Sequence, residues 1–455
     1  MKHIDKSKKI LAAVLALALM MSMAACGAQN TVSLNGDQDG AEEQTEAAET
    51  ETAEGTETGA ESENTAETET AVNTGSAYEG AIDTSDLFTE RDLAQSADLS
   101  EAEYITVTDG QDVEITTEGV YVISGKASEV TIRVDAGDED KVQLVLDGAD
   151  ITNESTPVIY VVNADKVFVT TTDSTSTLKV TGEFTADGDT NTDAVIFSKD
   201  DLVLNGTGTL KIVSTDNGIT SKDDLKITGG TIDIEAQSDA IEANDSIAVC
   251  DGSITIITGK DGFHAENDDD DSLGYIYISG GTFDITAEDD GIQATTVLQI
   301  DGGTFAISAA EGLEGTQVVI NDGKIGISAT DDGINGSQKS TALSVKVEIN
   351  GGDIEVSMGQ GDTDAIDVNG DLSITGGTIN ITAQSPFDVD GTVSFTGGTV
   401  IENGQEVSQI SSQMMGGGMN GGPGGQMQGG FGGGQMQGGP GGSGGPMGGG
   451  PGQQG

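Results

Sequence analysis

The sequence predicts an all-β protein, a parallel β-helix built as a solenoid of roughly 20–29-residue coils. Three observations carry that prediction. A ten-residue phrase, apolar-x-apolar-x-Gly/Asp-Gly-x-apolar-x-apolar, returns along the chain. Within it, apolar and polar residues alternate and Val, Ile and Thr dominate, which is the pattern of strands and not of helices. The chain also has 68 Gly, 10 Phe, 6 Tyr and no Trp among 455 residues. That is too little aromatic area for an ordinary globular core, but enough for a narrow tube of β-branched side chains.

The N-terminus precedes the fold. Lys2, Lys6, Lys8 and Lys9 lead into an apolar run from Ile10 to Met21, then Met23-Ala24-Ala25-Cys26-Gly27. This is the layout of a secretory signal peptide over 1–25, too short to be a stable membrane span. The small-small-Cys ending resembles a bacterial lipobox. That resemblance implies cleavage before Cys26, lipidation of Cys26, and a site on the outer face of the bacterial cell membrane. Such a lipid anchor is the chain's only expected contact with membrane. Residues 26–77 form an acidic linker, with 13 acids and no bases over 28–77. Like charges and little apolar content leave such a segment extended and disordered. Residues 78–104 are a transition, with a short helix expected near Asp86–Ala94. Residues 401–455 are a Gly/Met/Gln-rich tail expected to be disordered, without the Gly-X-Y period of collagen.

The domain lies between, over 105–400. Its repeat reads LKITGGTIDI from 225, IAVCDGSITI from 247, IYISGGTFDI from 276, LQIDGGTFAI from 298, VVINDGKIGI from 318, VEINGGDIEV from 347 and LSITGGTINI from 372. Each unit supplies two strands joined at a Gly corner, and a third short strand follows. The first strands align Leu225, Ile247, Ile276, Leu298, Val318, Val347 and Leu372 as one inward ladder. The third strands align Ile219, Ile241, Phe263, Ile292, Leu313, Ile334 and Ile366. Residues 105–200 carry the same chemistry less regularly, as terminal coils of a solenoid do. Cys250 falls at a strand end and reads as a buried, inert thiol.

Function enters through the third strand. Two positions before its apolar residue stand Asp193, Asn217, Asp239, Asp261, Asp290, Glu311, Asp332 and Asp364; just after it stand Thr220, Glu242, His264, Gln293, Glu314, Asn335 and Asp367. Coils stack at about 4.8 Å, and two bare carboxylates about 5 Å apart repel by about 0.8 kcal/mol even in water. A ladder of them calls for a hard cation, and Ca²⁺ takes its ligands from carboxylates, carbonyls and water. The candidate ligands are Asp193, Asp239, Glu242, Asp261, Asp290, Glu311, Asp332, Asp364 and Asp367. The small residue after each ladder acid is expected to let a backbone carbonyl reach the cation. The competing reading is that Asp-Gly is plain turn chemistry.

The lipobox, acidic linker, GGT-[IF]-x-I units, D-[GA]-I-x-[AG] ladder and Gly/Met tail together resemble a bacterial family of carbohydrate-binding domain-containing proteins, whose best-known type is a clostridial cellulose- and pectin-binding β-helix protein. The resemblance implies a pectate-lyase-like, right-handed parallel β-helix with bound Ca²⁺. It also implies a polysaccharide partner, notably polygalacturonate. The formal charge of −60 excludes nucleic acid, for want of a basic surface. It also opposes pectin unless Ca²⁺ bridges the two sets of carboxylates. Neutral glucans would need aromatics, and the coils offer Tyr275, Tyr277 and a few Phe.

The expected activity is non-catalytic binding by a monomer. Two alternatives fit the same residues, a structural adhesin or wall spacer without a sugar ligand, and a calcium-dependent polysaccharide lyase. A lyase needs a basic residue, and the two arginines, Arg91 and Arg133, fall outside the regular coils. Lys260 with Asp261 and His264 is the best lyase-like cluster. A lysine screening its acidic neighbours is the plainer account of it.

Overall fold

The structure, a computed structural model, describes residues 82, 84–267, 269–360 and 363–411. The signal peptide 1–25, Cys26, the linker 26–77, Asp268 and the tail beyond 411 lie outside the described residues. The described chain contains 34 strands and no α-helix. Nearly every strand pairs in parallel with a strand one coil away, as Asp224–Ile227 does with Ser246–Val249 and Thr231–Ala236 with Ser253–Thr258. The result is an all-β solenoid with three strands to a regular coil.

Register follows the apolar ladders. Leu225, Ile247, Ile276, Leu298, Val318, Val347 and Leu372 stand in line through successive pairings. So do Ile219, Ile241, Phe263, Ile292, Leu313, Ile334 and Ile366, with Phe387 after them. These side chains are buried in one continuous core. Within the core Phe283 and Phe305 stack with ring centroids 4.5 Å apart, and Phe263 meets Phe283 edge-on at 5.9 Å. The second glycine of a corner takes the left-handed backbone that side chains disfavour, with φ of 86° at Gly230 and 105° at Gly303.

The segment before the coils is not helical. Over 86–94 it makes turns, with one helix-like bond from Leu93 N to Thr89 O at 3.2 Å. Thr89 and Asp92 cap each other, at 3.0 and 3.2 Å. The turn ends because Gln95 is drawn onto the sheet. It donates to Thr228 O at 2.9 Å and accepts from Gly206 N at 3.0 Å.

This segment is a strap across the outside of the first sheet. It follows one outward row, Phe168, Val203, Lys226, Ala248, Tyr277, Gln299 and Val319, one residue from each coil. Arg91 lies over the Phe168 ring at 4.4 Å. Asp92, fully buried, faces Lys166 at 3.9 Å and Lys226 at 3.6 Å. Leu87 joins an apolar cluster with Tyr275, Tyr277, Val297 and Val319. Ile82 N donates to Gln299 Oε1 at 2.6 Å. The two tyrosines are therefore covered and cannot stack on a glucan.

Arg133 stands in the paired strand Ile132–Asp135, in the less regular part before residue 200 and so outside the regular coils, as expected. One boundary is corrected. The coils run past 400, and Thr399–Glu402 folds back on Gln405–Val407 as an antiparallel hairpin. Asn403 and Gly404 make its turn with φ of 51° and 79°. Such a turn suits a two-residue hairpin, and the hairpin covers one strand edge of the last coil.

Candidate functional site

The predicted acids do form an edge, and the structure gives it a backbone reason. Asp261 N donates to Asp239 Oδ1 at 3.1 Å, Asp290 N to Asp261 Oδ1 at 2.9 Å, and Asp364 N to Asp332 Oδ1 at 3.3 Å. Asn217 Oδ1 takes the amide of Asp239 in the same way, at 3.0 Å. At these three rungs one carboxylate oxygen ties a coil to the next, and the other is left for the edge. Asn serves the first role as well as Asp, so that tie alone does not explain the charge.

The glycines after the ladder acids have a packing cause. A Cβ on Gly291 would lie 2.4 Å from Ile307 Cγ2 and 2.5 Å from Gly312 O; on Gly312 it would meet Gly333 O at 2.4 Å. The tube is tight at these rungs, whatever the neighbouring carbonyls do.

Four ladder acids, Asp239, Asp261, Asp290 and Glu311, gather with neighbours into three close sets. Potential ligand atoms lie within 4.8 Å of one another in Asp261/Asp289/Asp290, in Asp290/Glu311/Glu314 and in Asp239/Asp261/His264. Asp290 is shared by the first two. Of the other predicted residues, Glu242, Asp332, Asp364 and Asp367 stand on the edge without joining such a set among the described residues; Asp193 is corrected, because Ile196 pairs with Ile219 and Ala194 with Asn217, which puts Asp193 one residue off the ladder. Glu242 accepts from Asn217 Nδ2, Thr220 Oγ1 and Lys222 Nζ at 2.6, 3.1 and 3.2 Å. Asp193 accepts from Asn191 at 2.6 Å, and its Oδ1 is buried without a hydrogen bond. Asp332 and Asp364 are register partners, with Asp367 following.

Electrostatics show how crowded the edge is. Burial, then Asp261, Glu314 and Glu311, push the Asp290 carboxyl up to about 9. Burial, then Glu314 against the help of Asn335, raises Glu311 to about 7. Burial with Asp367 and Glu311 takes Asp332 to about 7, and burial with Asp239 takes Asp261 to about 6. Asp193 and Asp367 are likewise raised to about 6, by burial first and then by Glu242 and Asp388 respectively. Asp239 is the exception. Burial works against its charge, but His264 and Lys260 outweigh it and lower the carboxyl. At the raised carboxyls the surroundings favour added positive charge, which a proton or a cation can supply. An all-oxygen set suits a hard cation.

A fourth set, Asp201/Asp223/Asp224, was not anticipated. Its signal was visible as Ser-Lys-Asp-Asp-Leu, present at both 198–202 and 221–225. Burial and the Asp201, Asp224 and Asp245 charges raise Asp223 to about 7.

A tube of parallel coils bearing an acidic edge defines the class, an all-β repeat protein with a charged lateral surface. The chain belongs to the family described as carbohydrate-binding domain-containing protein, whose sequence model matches residues 109–363 and 308–415. A carbohydrate-binding domain-containing protein of Acetivibrio thermocellus is 37% identical over 129 residues, which are 28% of this chain and 45% of that protein. The chain thus spans less than half the length of that relative. A solved structure, the polysaccharide lyase-like protein from C. thermocellum as a gadolinium derivative, is 33% identical with a TM-score of 0.43. The likeness covers 45% of this chain and 90% of that one.

Proposed function

We propose that this protein is a right-handed parallel β-helix that holds Ca²⁺ along its third-strand edge and binds acidic plant cell-wall polysaccharide, such as polygalacturonate, without cleaving it. The observation that carries the reading is the crowding around Asp290, where two acid sets share one carboxyl that burial and three neighbours keep from ionising. Asp261, Asp289 and Asp290 would hold one ion, and Asp290, Glu311 and Glu314 another. Bound Ca²⁺ supplies positive charge on which a uronate carboxylate can complete the oxygen shell. That role answers the repulsion between a chain of formal charge −60 and an anionic sugar. The carbohydrate class comes from the family and its relative, and the uronate from the charge argument.

Binding is favoured over lyase chemistry by Lys260. Burial opposes its charge, but Asp239 and Asp261 outweigh it and raise its pKa. A lysine held protonated cannot take a proton from the sugar. The signal peptide and Cys26 place the protein on the outer face of the cell membrane through a lipid anchor, with 26–77 as its stalk.

Calorimetric titration of the purified protein with Ca²⁺, repeated with polygalacturonate present, tests the reading. Saturable Ca²⁺ uptake that enables sugar binding is expected. Sugar binding that survives excess EDTA refutes the bridging role. Ca²⁺ uptake with no glycan bound in any condition favours the structural spacer. New ultraviolet absorbance from unsaturated uronate would make the protein a lyase.

A further inference from the structure

The edge is not chemically uniform, because one rung carries an imidazole. His264 follows Phe263 in the third strand, at the register position held by Glu242 in the coil before and Gln293 in the coil after. The residue is 7% exposed, and neither ring nitrogen makes a hydrogen bond. Nδ1 lies 3.6 Å from Asp239 Oδ2 and 3.6 Å from Asp261 Oδ2. Nε2 lies 3.4 Å from Glu266 Oε2. At these distances the contacts are ion-pair approaches and not hydrogen bonds, and a buried imidazole with neither nitrogen hydrogen-bonded costs free energy unless something completes it.

We propose that Asp239, Asp261 and His264 form a site for a divalent cation of the imidazole-accepting kind, with Zn²⁺ as its probe, which shares Asp261 with one all-oxygen set and differs from it in donor chemistry. Bonds of about 2.1 Å at tetrahedral angles separate neighbouring ligand atoms by about 3.4 Å, close to the two nitrogen–oxygen distances here. The set is one nitrogen and two carboxylates, with a fourth position left for water. Imidazole suits Zn²⁺, Ni²⁺ and Cu²⁺, whereas Ca²⁺ draws on oxygen. Glu266 stands on the far side of the ring, where a carboxylate accepting the Nε2 proton would turn the Nδ1 lone pair inward, as outer carboxylates do for metal-bound histidines. The other two carboxylate oxygens keep the set in place. Asp239 Oδ1 and Asp261 Oδ1 hold the amides of the next coils, which leaves both Oδ2 atoms facing His264.

Lys260 is the competitor. Its Nζ lies 3.0 Å from Asp239 Oδ2 and 3.9 Å from Asp261 Oδ2, so the ammonium partly fills the place of the cation. Its side chain is 44% exposed and can swing into solvent. The proposal does not depend on the calcium reading and would stand if Ca²⁺ bound nowhere.

The chain has two histidines, His3 and His264, so ¹⁵N-imidazole NMR of the full chain reads the site directly. Zn²⁺ is titrated with and without millimolar Ca²⁺, and its affinity is measured by calorimetry. The His264 resonances are expected to shift in step with one equivalent of Zn²⁺, with Ca²⁺ present or absent. Affinity is expected to fall at least tenfold in His264→Gln and about tenfold in Glu266→Gln, and to rise in Lys260→Met. If His264→Gln does not fold, the Lys260→Met and Glu266→Gln arms still decide. His264 resonances that ignore excess Zn²⁺, or equal Zn²⁺ affinity in wild type and His264→Gln, would overturn the proposal.

Discussion

Asp290→Asn separates the two halves of the edge argument, since it removes a charge that the empty edge opposes and a cation needs. The Asp290 carboxyl is raised from its ordinary 3.8 to about 9, by burial first and then by Asp261, Glu314 and Glu311. A folded-state pKa above the unfolded one means that folding takes up a proton. The group's contribution to stability is whole below about pH 4 and is lost as pH rises through about 9. At pH 7 that loss spans about three pH units at roughly 1.4 kcal/mol each, or about 4 kcal/mol. Asn cannot ionise in either state. Exchanging the hydrogen bond from Gln293 Nε2 to the Asp290 carboxylate gives back about 1 kcal/mol. In EDTA at pH 7 the variant should therefore be about 3 kcal/mol more stable than the wild type. Its stability should also fall less steeply between pH 4 and 9. Ca²⁺ should reverse the order, because ligand at a hundred times its dissociation constant adds about 2.7 kcal/mol to the protein that binds it. Denaturant melts at pH 4, 7 and 9, with EDTA and with Ca²⁺, measure all of this. Equal pH slopes for the two proteins, or equal Ca²⁺ stabilisation, would refute the reasoning.

Three other outcomes are expected. Asp92→Ala removes the acid that Lys226 shares with Lys166, which keeps Asp201 at 3.4 Å, and should cost about 3–5 kcal/mol through Lys226 or free the strap. Faster hydrogen exchange over 82–96 and new proteolysis there would report the release, and an unchanged exchange map would contradict the ion-pair account. Gly291→Ala puts a methyl against Ile307 and the Gly312 carbonyl. A destabilisation of about 1–3 kcal/mol by overpacking should follow in thermal melts, even in EDTA, where no cation is involved. Phe305→Ala opens the stacked ring pair with Phe283 and should cost about 3–5 kcal/mol, read in the same way.

The repeat made the solenoid legible because its side-chain order is its geometry. A period-two strand pattern returning every coil puts like residues over like residues, so the Leu225 and Ile219 ladders could be written down before any coordinates. The charge of the edge was legible for the same reason. Other features had signals of a different kind. Asn403-Gly404 is a hairpin turn, and the apolar runs Ile247–Val249 and Tyr275–Ile278 break strict alternation, which marks a sheet covered on both faces.

Periodicity dictates the coil, its inward ladders and the alignment of acids along one edge, and all three can be read from the order of residues. Tertiary structure alone decided the rest. It brought Asp290 within reach of both Glu314 and Asp289, turned His264 between Asp239 and Asp261, and laid the strap on Tyr277. Those contacts depend on side-chain direction and on chain crossing from far away, and a repeat pattern encodes neither.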